Sequence, residues 1–132
     1  TSAFFVHPSD QQHGASGILN KDDVIIVYSK GGESEEINNF LQIAKKEDCK
    51  IVSITGTKNS TMSELVDKQL VIKVPEKTEP FGLIATTSSL AAGLVSDTIC
   101  TLLLENKNYS KKEFSKTHPG GNVGKKIKEE KH

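Results

Sequence analysis

The sequence predicts an α/β fold built on a parallel sheet with helices on both faces. Three observations carry that expectation. Short apolar runs alternate with helical patterns along the chain. The clearest run, Asp23–Tyr28 (DVIIVY), is rich in β-branched residues and nearly unbroken, as in a strand buried on both faces. The runs Lys50–Thr55 and Gln69–Val74 repeat the pattern, and such alternation of apolar strands with helices argues for parallel rather than antiparallel pairing.

The elements follow in order. Ala3–Val6 is expected as a first short strand and Asp23–Tyr28 as the next. Ser34–Lys46 reads as an amphipathic helix, because Ile37, Phe40, Leu41 and Ala44 fall on one face. Lys50–Thr55 (KIVSIT) is a strand. Ser60 caps a short helix carrying Met62, Leu65 and Val66. Gln69–Val74 (QLVIKV) is a further strand, and the two prolines and one glycine of Pro75–Leu83 make that segment a loop. Thr86–Glu105 is the longest helix. Its broad apolar face, with Leu90, Leu94, Val95, Ile99, Leu102 and Leu103, belongs either to the core or to a contact with a second subunit. Ser110 caps a last short helix through Lys116, and Lys125–His132 reads as a charged, frayed tail.

Bulk properties narrow the function. At 132 residues the chain is one domain's worth, expected over 1–126 with a charged tail at 127–132. Its 17 lysines and arginines balance 17 aspartates and glutamates, and there is no basic stripe and no tryptophan, which argues against nucleic acid as a partner. Ser96, Asp97 and Thr98 interrupt the longest apolar stretch, so it is expected not to span a membrane. Cys49 and Cys100 stand far apart with no CxxC, which fits a reducing, cytoplasmic setting. The histidines lack metal-ligand spacing, so no metal site is expected.

In parallel sheets ligands bind where strands end and helices begin. That rule selects Ser29–Ser34, Thr55–Ser60 and the hydroxyl run Thr86, Thr87, Ser88, Ser89. The run exceeds what one helix cap needs, and a helix N-terminus offers free N–H groups to a phosphate. Taken alone, the carboxylates Glu33, Glu35 and Glu36 are explained by the helix dipole. His13, beside Gly14, and His118, in HPGG, sit in polar surroundings and do not look like core histidines. GGNVGKK near the C-terminus imitates a P-loop but is one residue short, lacks Ser or Thr after the lysine and follows no strand.

Five segments together carry a resemblance: FVHPSDQQHGASG (5–17), SKGGESEEI (29–37), ITGTKNSTM (54–62), PFGLIATTSS (80–89) and FSKTHPGGNVGKK (114–126). In this order they resemble the sugar isomerase (SIS) domain family, within its arabinose-5-phosphate isomerase-like group. The resemblance implies a flavodoxin-like, three-layer αβα sandwich with a five-stranded parallel sheet. It implies aldose–ketose isomerisation of a sugar phosphate through an enediol, such as arabinose 5-phosphate to ribulose 5-phosphate, with no cofactor. Glu33 and His118 match family residues tied to catalysis. The ligand would lie against Ser29, Gly32, Ser34, Thr86, Thr87, Ser88, Ser89 and His13, in a homodimer or homotetramer. The alternative within the same family is a sugar-phosphate-binding module without catalysis.

The chain departs from the family pattern in three places. The family's N-terminal helix, first strand and glycine-rich loop precede the matching region, so the Asp23–Tyr28 strand is expected to expose an edge. Lys77 stands where the family has a glutamate, flanked by Glu76 and Glu79. SKGG replaces the commoner SxSG, which removes a hydroxyl at Gly31 and adds a cation at Lys30.

Overall fold

The computed structural model describes residues 2–75 and 78–129. Glu76, Lys77 and His132 lie outside them. The chain divides into two units, Thr1–Ala92 and Gly93–His132.

The first unit holds three parallel strands in the order β1 (Val24–Ser29), β2 (Lys50–Thr55) and β3 (Lys68–Val71). Helix α1 (Glu35–Lys46) joins β1 to β2, and a 3-10 turn, Thr61–Glu64, precedes β3. α1 forms where the sequence expects it. Its acidic first turn and basic last turn complement the helix dipole. It buries Phe40, Leu41 and Ala44 against one face of the sheet, where Val27 and Ile51 project, and Met62 closes the same cluster. Leu41, Ala44 and Met62 are fully buried. The alternation of side chains along a strand puts Val24, Ile26 and Tyr28 on the opposite face, and all three are exposed. β1 is an edge strand, as expected.

Several expectations are corrected. Ala3–Val6 forms no strand; Phe4 and Phe5 are exposed, the segment has no ladder partner, and only Val6 packs against the core. The strand expected over Gln69–Val74 is Lys68–Val71. Ile72 N–H still donates to the Thr55 carbonyl at 2.7 Å, but the chain then leaves the ladder ahead of Pro75. Two short 3-10 helices, Pro8–His13 and Ala15–Ile18, occupy a stretch with no expected element.

α2 (Thr87–Asn106) has the expected length, but none of its residues is buried. It is long and apolar enough to cross a membrane by length and composition alone, despite Ser96, Asp97 and Thr98. In the second unit α3 (Lys111–Thr117) starts at Ser110, whose hydroxyl accepts from Glu113 N–H while the Glu113 carboxylate accepts from Ser110 N–H. α4 (Gly121–Glu129) corrects the expectation of a frayed segment from Lys125.

Candidate functional site

Parallel pairing sets Ser29 beside Thr55 and Thr55 beside Val71, so the three strands end in one row. The loops that leave this row are tied together. The Ser29 hydroxyl accepts from Gly32 N–H at 3.1 Å. The Lys30 carbonyl accepts from Gly56 N–H at 3.0 Å and from the Thr55 hydroxyl at 3.3 Å. The Gly32 carbonyl accepts from Met62 N–H at 3.1 Å and from the Asn38 amide at 3.3 Å. Gly32 has φ +71°, a conformation that favours glycine, and a side chain there would run into Ser60.

A cleft of about 680 Å³ opens at these strand ends, within the first unit. Its polar rim is Ser29, Lys30, Gly31, Thr55, Gly56 and Thr57, joined by Ser88 and Ser89 from the first turn of α2 and by Lys73. Tyr28, Ile54, Ile72, Val74, Ala85 and Ala92 form the apolar remainder. A concave apolar surface with a few convergent polar groups is what a small polar ligand requires.

The structure sorts the residues singled out from sequence. Ser29, Ser88 and Ser89 line the cleft; Gly32, Glu33, Ser34, Thr86, Thr87 and His13 do not. Thr86 stands just ahead of α2, where its carbonyl accepts from Ser89 and Leu90 N–H, and its hydroxyl lies 3.0 Å from that of Thr78. Ser34 takes the N-cap position of α1 without a capping bond from its side chain. His13 ends the first 3-10 helix and is exposed. His118 belongs to the second unit, where its ring stacks on Phe114 at 3.9 Å and Nδ1 lies 3.0 Å from the Thr117 hydroxyl.

Glu33 has a definite role in the fold. Its Oε1 accepts from Thr61 N–H at 2.9 Å and its Oε2 from the Thr61 hydroxyl at 2.6 Å. The hydroxyl bond first, and then the backbone bond, hold the carboxyl below its ordinary pKa, against a smaller opposing effect of burial. Glu33 thus caps the 3-10 turn Thr61–Glu64 from another loop. Burial raises the pKa of Glu79, but hydrogen bonds from Phe81, Ile84 and Leu83 N–H, with Lys30 nearby, bring it below the ordinary value overall. Among the described residues no group of three His, Cys, Asp or Glu side chains is arranged to hold a metal.

Sequence reasoning passes over Lys73, because it lies inside an expected strand that in fact ends at Val71. It also misses Thr61 as the partner of Glu33 and Asn38 as the buried amide that holds the Gly32 carbonyl. It marks Thr55–Thr57 as a strand end without giving single residues a role.

Comparison with known proteins gives concordant matches. The SIS domain family model matches residues 1–100. Arabinose 5-phosphate isomerase KdsD of Salmonella typhi is 36% identical over 127 residues, 96% of this chain and 39% of the relative. The chain therefore spans about two fifths of the length of the curated relatives it matches. Among solved structures, c3406 of Escherichia coli CFT073 in complex with arabinose 5-phosphate has a TM-score of 0.82 at 33% identity, covering 88% of this chain and 62% of that one. The NanR protein of Vibrio vulnificus complexed with ManNAc-6P has a TM-score of 0.70 at 27% identity, covering 88% of this chain and 43% of that one.

Proposed function

The chain belongs to the SIS domain family, and from that membership we propose that it forms the sugar-phosphate-binding part of an aldose–ketose isomerase, acting on a substrate such as arabinose 5-phosphate. The observation that carries this reading is the cleft at the carboxyl ends of the parallel strands, with Ser29, Ser88 and Ser89 on its rim. The phosphate lies against those hydroxyls and the N–H groups at the start of α2, with Thr86 and Thr87 beside it. Gly32 and Ser34 shape the loop next to Ser29, and the family resemblance alone adds His13 to the ligand's surroundings.

The chemistry needs two proton-moving groups. Glu33 takes the C2 proton of the open-chain aldose, the C1 carbonyl becomes a hydroxyl, and an enediol forms. Return of a proton to C1 and loss of one from the C2 hydroxyl give the ketose. His118 moves the oxygen-bound protons and assists ring opening. Relatives bearing the name arabinose 5-phosphate isomerase, and the solved structure in complex with that sugar phosphate, support this assignment. The same reading takes the protein as cytoplasmic and as a homodimer or homotetramer.

A second reading, a sugar-phosphate-binding module without turnover, is favoured by one observation. Both carboxylate oxygens of Glu33 are engaged by Thr61, which gives the side chain a capping role within the fold. Incubation with a panel of pentose and hexose phosphates separates the two. Ketose formation supports the isomerase; ligand-dependent thermal stabilisation with no conversion supports the binding module.

A further inference from the structure

We infer that Lys30 and Lys73 act as a cation pair that holds the phosphate of the ligand in the cleft, an inference that rests on the sugar-phosphate reading above. Among the described residues, the cleft lining includes these two lysines and no carboxylate. A concave, largely apolar surface lined by positive charge concentrates anions.

The placement of the pair follows from the sheet. Lys30 lies one residue beyond β1 and Lys73 two residues beyond β3, and β2 runs between those strands. Strands pair about 4.8 Å apart, so the two lysines rise from strands roughly 10 Å apart, on either side of the β2 end. Two four-carbon stems span that gap and bring both ammonium groups to one dianion over Thr55–Thr57.

Lys30 is held in this direction. Its carbonyl is fixed by Gly56 N–H and the Thr55 hydroxyl. Its stem runs beside Gly56, where a Cβ would come within 3.4 Å of Lys30 Cγ and 3.0 Å of the Lys30 carbonyl oxygen. The absence of a side chain at Gly56 thus lets the Lys30 backbone approach the end of β2 closely. Glu79 is within electrostatic reach of Lys30, but its carboxylate is already occupied by Phe81 and Ile84 N–H at 2.8 and 2.9 Å. A phosphomonoester carries more charge than that carboxylate.

The test is calorimetric titration of the full 132-residue chain with inorganic phosphate and with arabinose 5-phosphate, each at low and high salt. The variants are Lys30→Met and Lys73→Met, with Lys46→Met on α1 as a control. Each cleft variant should bind both ligands about tenfold more weakly and with a shallower salt dependence, at unchanged circular dichroism. Lys46→Met should match the parent. Undiminished binding by Lys30→Met and Lys73→Met overturns the cation pair and leaves the sugar-phosphate reading standing. Parent binding of inorganic phosphate without arabinose 5-phosphate, lost in the two variants, supports the pair and removes that sugar as the ligand. No binding of either ligand by the parent overturns both.

Discussion

Adding a single methyl group at Gly32 should cost the protein about 2–3 kcal/mol of stability. Two effects make up that figure. The residue has φ +71°, and a side chain in the left-handed region costs about 1–2 kcal/mol. The new Cβ also runs into the Ser60 side chain, which must move. Ser60 and Ser63 cap the 3-10 turn Thr61–Glu64 reciprocally, and losing such a cap costs about 1 kcal/mol. For a chain between the usual size classes, at roughly 4 °C per kcal/mol, the midpoint should fall by about 8–12 °C. Gly31→Ala is the control, because a Cβ there meets nothing within 4 Å and should change stability by less than about 0.5 kcal/mol. The assay is thermal and urea unfolding followed by far-ultraviolet circular dichroism. Since Gly32 N–H donates to Ser29 and the Gly32 carbonyl receives Met62 and Asn38, sugar-phosphate affinity should drop along with stability. Equal midpoints for Gly32→Ala and Gly31→Ala would refute the reasoning.

Two further outcomes are expected. Glu33→Gln should lower turnover by at least about a hundredfold while largely sparing ligand binding, since it removes a general base and keeps the side-chain shape; unchanged turnover takes Glu33 out of the mechanism. Of the two cysteines, Cys100 should react quickly with a thiol reagent in the native protein and Cys49 only after denaturation. Burial, helped by Asp23, Glu47 and Asp48, raises the Cys49 thiol above its ordinary pKa, and its Sγ contacts the Asn20 carbonyl at 3.4 Å. Rapid labelling of both thiols in the native protein would contradict this.

Much of the first unit is legible in the sequence because local pattern and burial agree there. The Lys50–Thr55 strand is found with those bounds, and the α1 helix starts one residue after the expected Ser34. Hydrophobic period and β-branched content suffice for such elements. Other features depend on partners distant in sequence. Phe4 and Phe5 have strand-like composition but no neighbouring strand to accept them. α4 is hidden by its glycines. A Cβ at Gly124 would meet the Pro119 backbone at 2.9 Å, so glycine there permits a close approach that periodicity does not register. The strand-end rule finds the site, yet Lys73 enters the cleft only because β3 ends early. Thr61 is out of view because it lies 28 residues from Glu33.

That last pair decides what Glu33 does, and Thr61→Val tests it. The substitution removes the hydroxyl that contributes most to the lowered Glu33 pKa and keeps the backbone N–H. With a folded pKa below the ordinary 4.5, Glu33 contributes stability that is present in full above that value. The contribution is lost as pH falls through the depressed folded value. Thr61→Val brings the folded pKa back toward 4.5, so the parent should be the more stable at neutral pH and the gap should narrow in acid. Activity gives an independent reading, because the acid limb of kcat/KM follows the free enzyme's base. If Glu33 is that base, the limb should move to higher pH in Thr61→Val. An acid limb that stays in place, with the stability gap narrowing as described, would make Glu33 a structural cap alone and assign the base to another residue.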